Sequence, residues 1–324
     1  MNDIKREAAG LSAAAARPAV VRHPHGAHAA DRLRAIGLMC LALVVFSALD
    51  TSAKYLATGA QLPIAEIAWV RFLGHFALML PILFALSPAA LLATKKPRLE
   101  LLRSVLMAAT TACNFLALEY LRLDQAVTVM FLAPLLVALL AGPLLGEWVG
   151  WRRLAAIFVG FFGVLIVVHP GVGGLNPAFL FAFGSVLTNT FFMLMTRYLA
   201  AHDKPLVMLF YSVLVGTFAL APVALWQWVW PQTTGQWLLL CVLGLLGGIG
   251  QYLFVHAYRL APASSVSPFL YLQLLTNVAF GYAVFGDLPD VWTLIGSSVI
   301  IASGVYLLHR ERVMRQEVER VEPV

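Results

Sequence analysis

Residues 205 to 258 form a run of 54 positions without a single Asp, Glu, Lys or Arg. About a quarter of the residues of an ordinary soluble domain are charged, so such a run does not fit one. Residues 125 to 146, 176 to 196 and 260 to 286 lack the same four types. A helix crossing the hydrocarbon core of a bilayer needs about 20 mostly apolar residues, and a membrane β-strand about 10 in strict alternation. The runs here are continuous rather than alternating. The chain therefore reads as an all-α integral membrane protein. Its balance agrees, with 61% hydrophobic and 12% charged residues among 324 and a mean hydropathy of +0.84.

Ten transmembrane helices are expected, over 35–56, 64–86, 99–119, 125–146, 154–169, 176–197, 206–226, 236–258, 261–284 and 292–308. They are separated by stretches rich in Pro, Gly or charge, such as "GAQLP" (59–63), "GEWVGWRR" (146–153) and "HPGVGGLNP" (169–177). Lys and Arg gather on cytoplasmic loops. With the N-terminus placed inside, 19 of the 22 Lys and Arg fall on inside segments, and only Lys54 and Arg122 lie at outside ends. Both termini are therefore expected in the cytoplasm, as an N-terminal tail over 1–34 and a charged tail over 309–324. The tail histidines His23, His25 and His28 lack the Cys or carboxylate company of a metal site, and Cys40, Cys113 and Cys241 read as small packing residues. The formal charge of +6 reflects basic loops, not affinity for nucleic acid.

The stretch "EYLRLDQAV" (119–127) is echoed by "HAYRLAPAS" (256–264). Aligned without gaps from Asn114 and Gln251, six of 22 positions are identical, including Arg122 with Arg259 and Leu123 with Leu260. After small slips in register, Gly146-Glu147 falls on Gly286-Asp287, Trp151 on Trp292 and Gly163 on Gly304. The order of these matches makes two units, 35–169 and 176–308. Each holds five helices, an odd number, so the second enters the membrane from the opposite side. This is an inverted repeat, an arrangement in which the site lies between the halves near the midplane and rocking gives alternating access.

A pair of five-helix units, each with a short third-to-fourth turn and a Gly-Glu or Gly-Asp before its last helix, resembles the EamA-type members of the drug/metabolite transporter superfamily. "LLGEWVGWRRLAAIFVGFFGVLIVV" (144–168) is similar to the end of their repeat unit. The second copy departs from that pattern, with Asp287 in place of Glu and "PD" (289–290) after it. The resemblance covers about residues 35 to 308. It implies a central cavity lined by the first four helices of each half, with the fifth peripheral. It also implies small metabolites as cargo: amino acids and their derivatives, purines, riboflavin, S-adenosylmethionine or amphiphilic compounds, with export more usual than import.

An ionised side chain at mid-bilayer costs about 2.5–3.5 kcal/mol on insertion scales. Asp50 and Arg71 lie in the first two spans, about 9 and 10 Å below the outer edge at 1.5 Å per residue. Lys54 and Glu66 each lie about 3 Å down on the same measure. A two-rung ladder is expected, Asp50 with Arg71 and Lys54 with Glu66. For Arg71 two readings stand: a structural ion pair, or an anchor for a substrate carboxylate or phosphate with Asp50 as its resting partner. His75 follows Arg71 by four and shares its helix face. It reads as a hydrogen-bonded side chain or as a proton carrier. The remaining polar candidates are Asn114, Asn189, Gln251, Tyr252, Gln273 and Asn277, which either glue helices or face the cavity. Pro134 and Pro268 each remove a backbone hydrogen bond mid-span, and Gly244-x-x-x-Gly248 reads as a close-packing face.

The sequence holds no HExxH, GxSG or GxGD set and no nucleotide-binding loop, which argues against a membrane enzyme and against ATP-driven transport. A receptor would carry a larger soluble part. The expectation is a secondary transporter of a small, amino acid-like or otherwise polar or amphiphilic metabolite in the bacterial inner membrane, driven by a gradient or by exchange, with export favoured. The alternative is an importer of a vitamin or nucleobase-type compound such as riboflavin. No cofactor and no metal are expected. The partners expected are the substrate, the lipid bilayer and, for gradient-driven transport, protons. A second copy of the chain is a further candidate.

Overall fold

The structure is a computed structural model that describes residues 29–85, 91–145, 151–168, 176–199, 202–260, 269–270 and 272–321. Among these all regular structure is helical. The helices are α1 (Ala29–Thr58), α2 (Ile64–Ala85), α3 (Pro97–Tyr120), α4 (Leu123–Met130), α5 (Leu132–Leu145), α6 (Trp151–Val168), α7 (Ala178–Leu199), α8 (Pro205–Trp226), α9 (Thr234–Leu260), α10 (Leu272–Phe285) and α11 (Val291–Val321). Six carry spans long and apolar enough to cross a membrane, in α1, α2, α3, α7, α8 and α9. Shorter apolar stretches, Leu123–Val137, Leu154–Val168, Leu272–Phe285 and Val291–Tyr306, bring the number to ten. The Gly146-Glu147 turn, residues 169–175 of the joining segment, the tail histidines and Pro268 lie outside the described residues.

The expected fourth span is two helices, α4 and α5, parted at Phe131. Pro134 has no N–H for the carbonyl of Met130, and its ring crowds that carbonyl. Phe131 closes α4 instead, its N–H shared between the carbonyls of Val127 and Thr128 at 3.1 and 3.2 Å. α11 is longer than the expected tenth span and stays helical through Val321.

α1 lies along α9, α3 along α7, and α6 along α11. α2 packs on α8 and α9, and α8 packs also on α3. α10 lies on α1, and α4 and α5 lie on α7. Glycines set the closest approaches. A Cβ added to Gly74 of α2 would sit 2.5 Å from the Cα of Gly244 on α9, and one on Gly296 of α11 would sit 2.5 Å from the carbonyl oxygen of Gly163 on α6. Gly248 lies under Leu78 and His75, so the Gly244–Gly248 face packs against α2. Small residues at such crossings let helix backbones meet where lipid supplies no hydrophobic drive.

Polar contacts mark the two ends of the bundle. At one end the Thr94 hydroxyl donates to Asp203 at 2.5 Å and the Lys96 ammonium to the Tyr198 hydroxyl at 2.5 Å. At the other, Lys54 and Arg122 meet Asp287 and Asp290, and Trp69, Trp228, Trp230 and Trp237 form a chain with ring centroids 5.9, 5.9 and 6.0 Å apart. Indole rings favour the membrane–water interface. The composition of "WQWVWPQTTGQW" (226–237) carried that signal, though the sequence reading did not use it.

Candidate functional site

A cavity of about 260 Å³ opens among α1, α2, α3, α4, α5, α7, α9 and α10. Seven of the nine candidate residues line it: Asp50, Arg71, Asn114, Asn189, Gln251, Gln273 and Asn277. Helical spacing brings them there. Leu43, Phe46 and Asp50 form one stripe of α1; Met107, Thr111, Asn114 and Leu118 form one of α3; and Gln273 and Asn277 sit one turn apart on α10.

The ladder is replaced by separate contacts. Arg71 Nη1 donates to the Thr111 hydroxyl, and its guanidinium lies 5.5 Å from the Phe72 ring centroid and 5.8 Å from that of Phe115. Asp50 accepts a hydrogen bond from Asn114 Nδ2 at 3.3 Å. Both partners belong to α3, and no ion pair within 4.0 Å joins Asp50 to Arg71 among the described residues. The second rung is also absent. The Lys54 ammonium donates to the carbonyl of Leu121 at 2.6 Å and lies 4.0 Å from Asp287, whereas Glu66 accepts from the N–H of Val229 at 3.1 Å. The cause is packing. The ladder assumed that α1 and α2 lie side by side, but α1 lies on α9 and α2 on α8 and α9.

His75 and Tyr252 do not reach the cavity. They line a second cleft of about 480 Å³ between α2, α8 and α9, where Tyr252 stacks on His256 with centroids 5.7 Å apart. α9 is the partition. Gly247 abuts Arg71 on the cavity side and Gly248 abuts His75 on the cleft side, so four residues along α2 change compartment.

Sequence reading missed much of the wall. Thr110 and Thr111 add hydroxyls, Phe46, Phe115, Phe131, Phe192 and Phe254 add rings, and Met107, Met130 and Met193 add thioethers. Asn189 Nδ2 lies 3.9 Å from the sulfurs of both Met130 and Met193. Asn277 is buried, and its Oδ1 has no hydrogen-bond partner among the described residues. An apolar chamber with a few fixed polar groups is the usual form of a small-molecule site. Among the described residues no group of three or more His, Cys, Asp or Glu is placed to hold a metal ion.

Apolar helices surrounding a polar-tipped chamber define a multi-pass membrane protein built to hold a small solute. The chain belongs to the EamA-like transporter family, whose profile matches residues 33–169 and again 176–309. It is similar to an S-adenosylmethionine uptake transporter of Rickettsia prowazekii, 28% identical over 86% of this chain and 94% of that protein. It is 30% identical to a riboflavin transporter of Vibrio cholerae over 84% and 92% of the two chains. It is 27% identical to a pseudopaline exporter of Pseudomonas aeruginosa over 83% and 94%. A solved crystal structure matches the fold with a TM-score of 0.58 at 19% identity, covering 87% of this chain and 99% of its own. The chain is thus a small-metabolite transporter of the drug/metabolite type, not an enzyme.

Proposed function

We propose that the chain is a secondary transporter that carries a zwitterionic organic metabolite by alternating access. The observation that carries the substrate class is the placing of Asp50 and Arg71. Opposite charges face one cavity and attract each other without direct contact, and each side chain hydrogen-bonds a neutral side chain of α3. A substrate carboxylate is suited to the guanidinium and a substrate ammonium to the carboxylate, as in an α-amino acid or a compound bearing that group. The rest of the molecule would lie against the Phe and Met side chains. A second reading, a flat uncharged ring such as a vitamin or nucleobase, is favoured by those five phenyl rings alone.

The halves, over 35–169 and 176–308, are read as inverted repeats. The twofold family match supports this, as do packing pairs that occur in mates: α1 on α9 with α7 on α3, and α2 on α9 with α8 on α3. The end carrying Lys95, Lys96 and Lys204 is read as cytoplasmic and the membrane as the bacterial inner membrane. Relatives named for uptake and for export leave direction to experiment.

The test is counterflow in proteoliposomes preloaded with single unlabelled metabolites: neutral amino acids, S-adenosylmethionine or riboflavin. Exchange of labelled zwitterions without nucleotide is the expected result. Exchange of riboflavin alone would transfer the assignment to the second reading.

A further inference from the structure

We infer that Lys54 and Arg122, with Asp287 and Asp290, form a polar latch that closes the cavity at the tryptophan-bearing end and opens once in each transport cycle. The inference rests on the alternating-access reading for its role in turnover, but its contacts stand on their own.

Lys54 lies one turn beyond Asp50 on α1, and it is a buried lysine at 8% exposure. A buried ammonium is costly unless it is paired and hydrogen-bonded. Three groups meet it: the carbonyl of Leu121 at 2.6 Å, the Asp287 carboxylate at 4.0 Å and the face of the Phe285 ring at 5.3 Å. Leu121 lies in the α3–α4 turn, and Phe285 and Asp287 lie at the end of α10 and just after it. Beside it, Arg122 grips Asp124 with two hydrogen bonds of 3.2 and 2.8 Å and reaches Asp290 at 3.7 Å. Two cations of the first family-matched segment are thus joined to two carboxylates of the second.

The turn that supplies the carboxylates is shaped for it. α10 ends with Gly286 at φ +73°, while the N–H of Gly286 bonds to Tyr282 and that of Asp287 to Gly281 at 3.0 and 3.2 Å. The bond from Gly286 to Tyr282 is that of an αL cap, which needs a left-handed residue and favours glycine. It fixes the backbone at Asp287, the residue that meets Lys54. The departure noticed in the sequence, Asp287 in place of Glu with Asp290 beyond it, provides both partners. Relative movement of the halves requires these cross-segment contacts to part. Leu123 of α4 lines the cavity and Lys54 of α1 lies one turn from the lining residue Asp50, so parting exposes the cavity there.

The test reads accessibility and needs no substrate, so failure of the substrate assignment leaves it intact. Replace Cys40, Cys113 and Cys241 by Ser and introduce Leu118→Cys, a cavity-lining position near the latch. Label intact cells with an impermeant thiol reagent. The latched parent should label slowly. Lys54→Gln should raise the rate at least about tenfold, a shift of about 1.4 kcal/mol toward the open form. Lys54→Gln also removes the buried donor to the Leu121 carbonyl, so the pair Asp287→Asn with Asp290→Asn is the second arm. Those side chains are 34% and 44% exposed, and the same rise is expected from them. The exchange Lys54→Asp with Asp287→Lys should return labelling toward the parent rate. A rise seen only in inside-out vesicles would support the latch and reverse the assigned orientation. A normally expressed Asp287→Asn, Asp290→Asn protein that labels at the parent rate from both faces overturns the latch.

Discussion

Asp50 and Arg71 are the ionisable side chains among those lining the cavity, and each is held in place by α3 through Asn114 and Thr111. Since the two do not close an ion pair, exchanging them (Asp50→Arg with Arg71→Asp) should not restore what either single change loses. Arg71→Gln should weaken the apparent affinity for a zwitterion about 10- to 150-fold, the loss of one charged hydrogen bond worth about 1.5–3 kcal/mol. Asp50→Asn should weaken the binding of a substrate carrying both charges, and barely affect an analogue lacking the ammonium. Competition binding with both ligands to purified protein measures this. Equal loss for both analogues in Asp50→Asn would remove Asp50 from substrate contact. The positions of these two residues were legible because a charge within an apolar run is expensive. Their partners were not. Depth along a helix is a count of residues, whereas a hydrogen-bond partner depends on which helices lie together, and it is α3 that supplies the hydrogen bond of Arg71. The same limit misassigned Lys54, whose partner Asp287 is more than two hundred positions away.

Helix crossings here turn on single glycines. At the α2–α9 crossing Gly74 and Gly244 are each blocked by the other's backbone. Gly74→Ala should therefore destabilise the fold by about 1–3 kcal/mol, the range for overpacking. Gly37, by contrast, has nothing within 4 Å of an added Cβ, and Gly37→Ala should be neutral or stabilising, because Ala is the better helix former. Thermal unfolding of the two variants in one detergent compares them directly, and a Gly74→Ala protein as stable as Gly37→Ala would contradict the packing. The helices themselves were largely legible, since charge-free runs and Pro or Gly breaks set their ends. The division of the fourth span at Phe131 was only half legible. Pro134 signalled a lost hydrogen bond, but the break falls three residues earlier, where the orphaned carbonyl begins. The separation of Arg71 from His75 was hidden, because a shared helix face gives no notice of α9 passing between them.

Packing of the bundle sets α1 against α9 and α7 against α3, and the cavity takes 18 of its lining residues from the first family-matched segment and eight from the second. A solute held there touches both, which is what rocking requires. The echo of "EYLRLDQAV" in "HAYRLAPAS" is the sequence ground for the proposed two-unit reading, while the latch contacts involve Asp287 and Asp290, where the second unit departs from the first. The geometry bears on where a coupling proton would bind. His75 lines the second cleft and Asp50 the cavity, so a coupling proton that shares a compartment with substrate would be carried by Asp50. In proteoliposomes without nucleotide, an imposed pH gradient should drive accumulation, and His75→Ala should leave it intact. Asp50→Asn should abolish accumulation while sparing exchange of an analogue without an ammonium. One charge moved per turnover across 100 mV is worth about 2.3 kcal/mol, enough for about a fifty-fold gradient. Wild-type protein that ignores both pH gradient and membrane potential would rule out proton coupling and make exchange the driving process. Loss of accumulation in His75→Ala with Asp50→Asn unaffected would move the proton to the cleft and separate its path from that of the substrate.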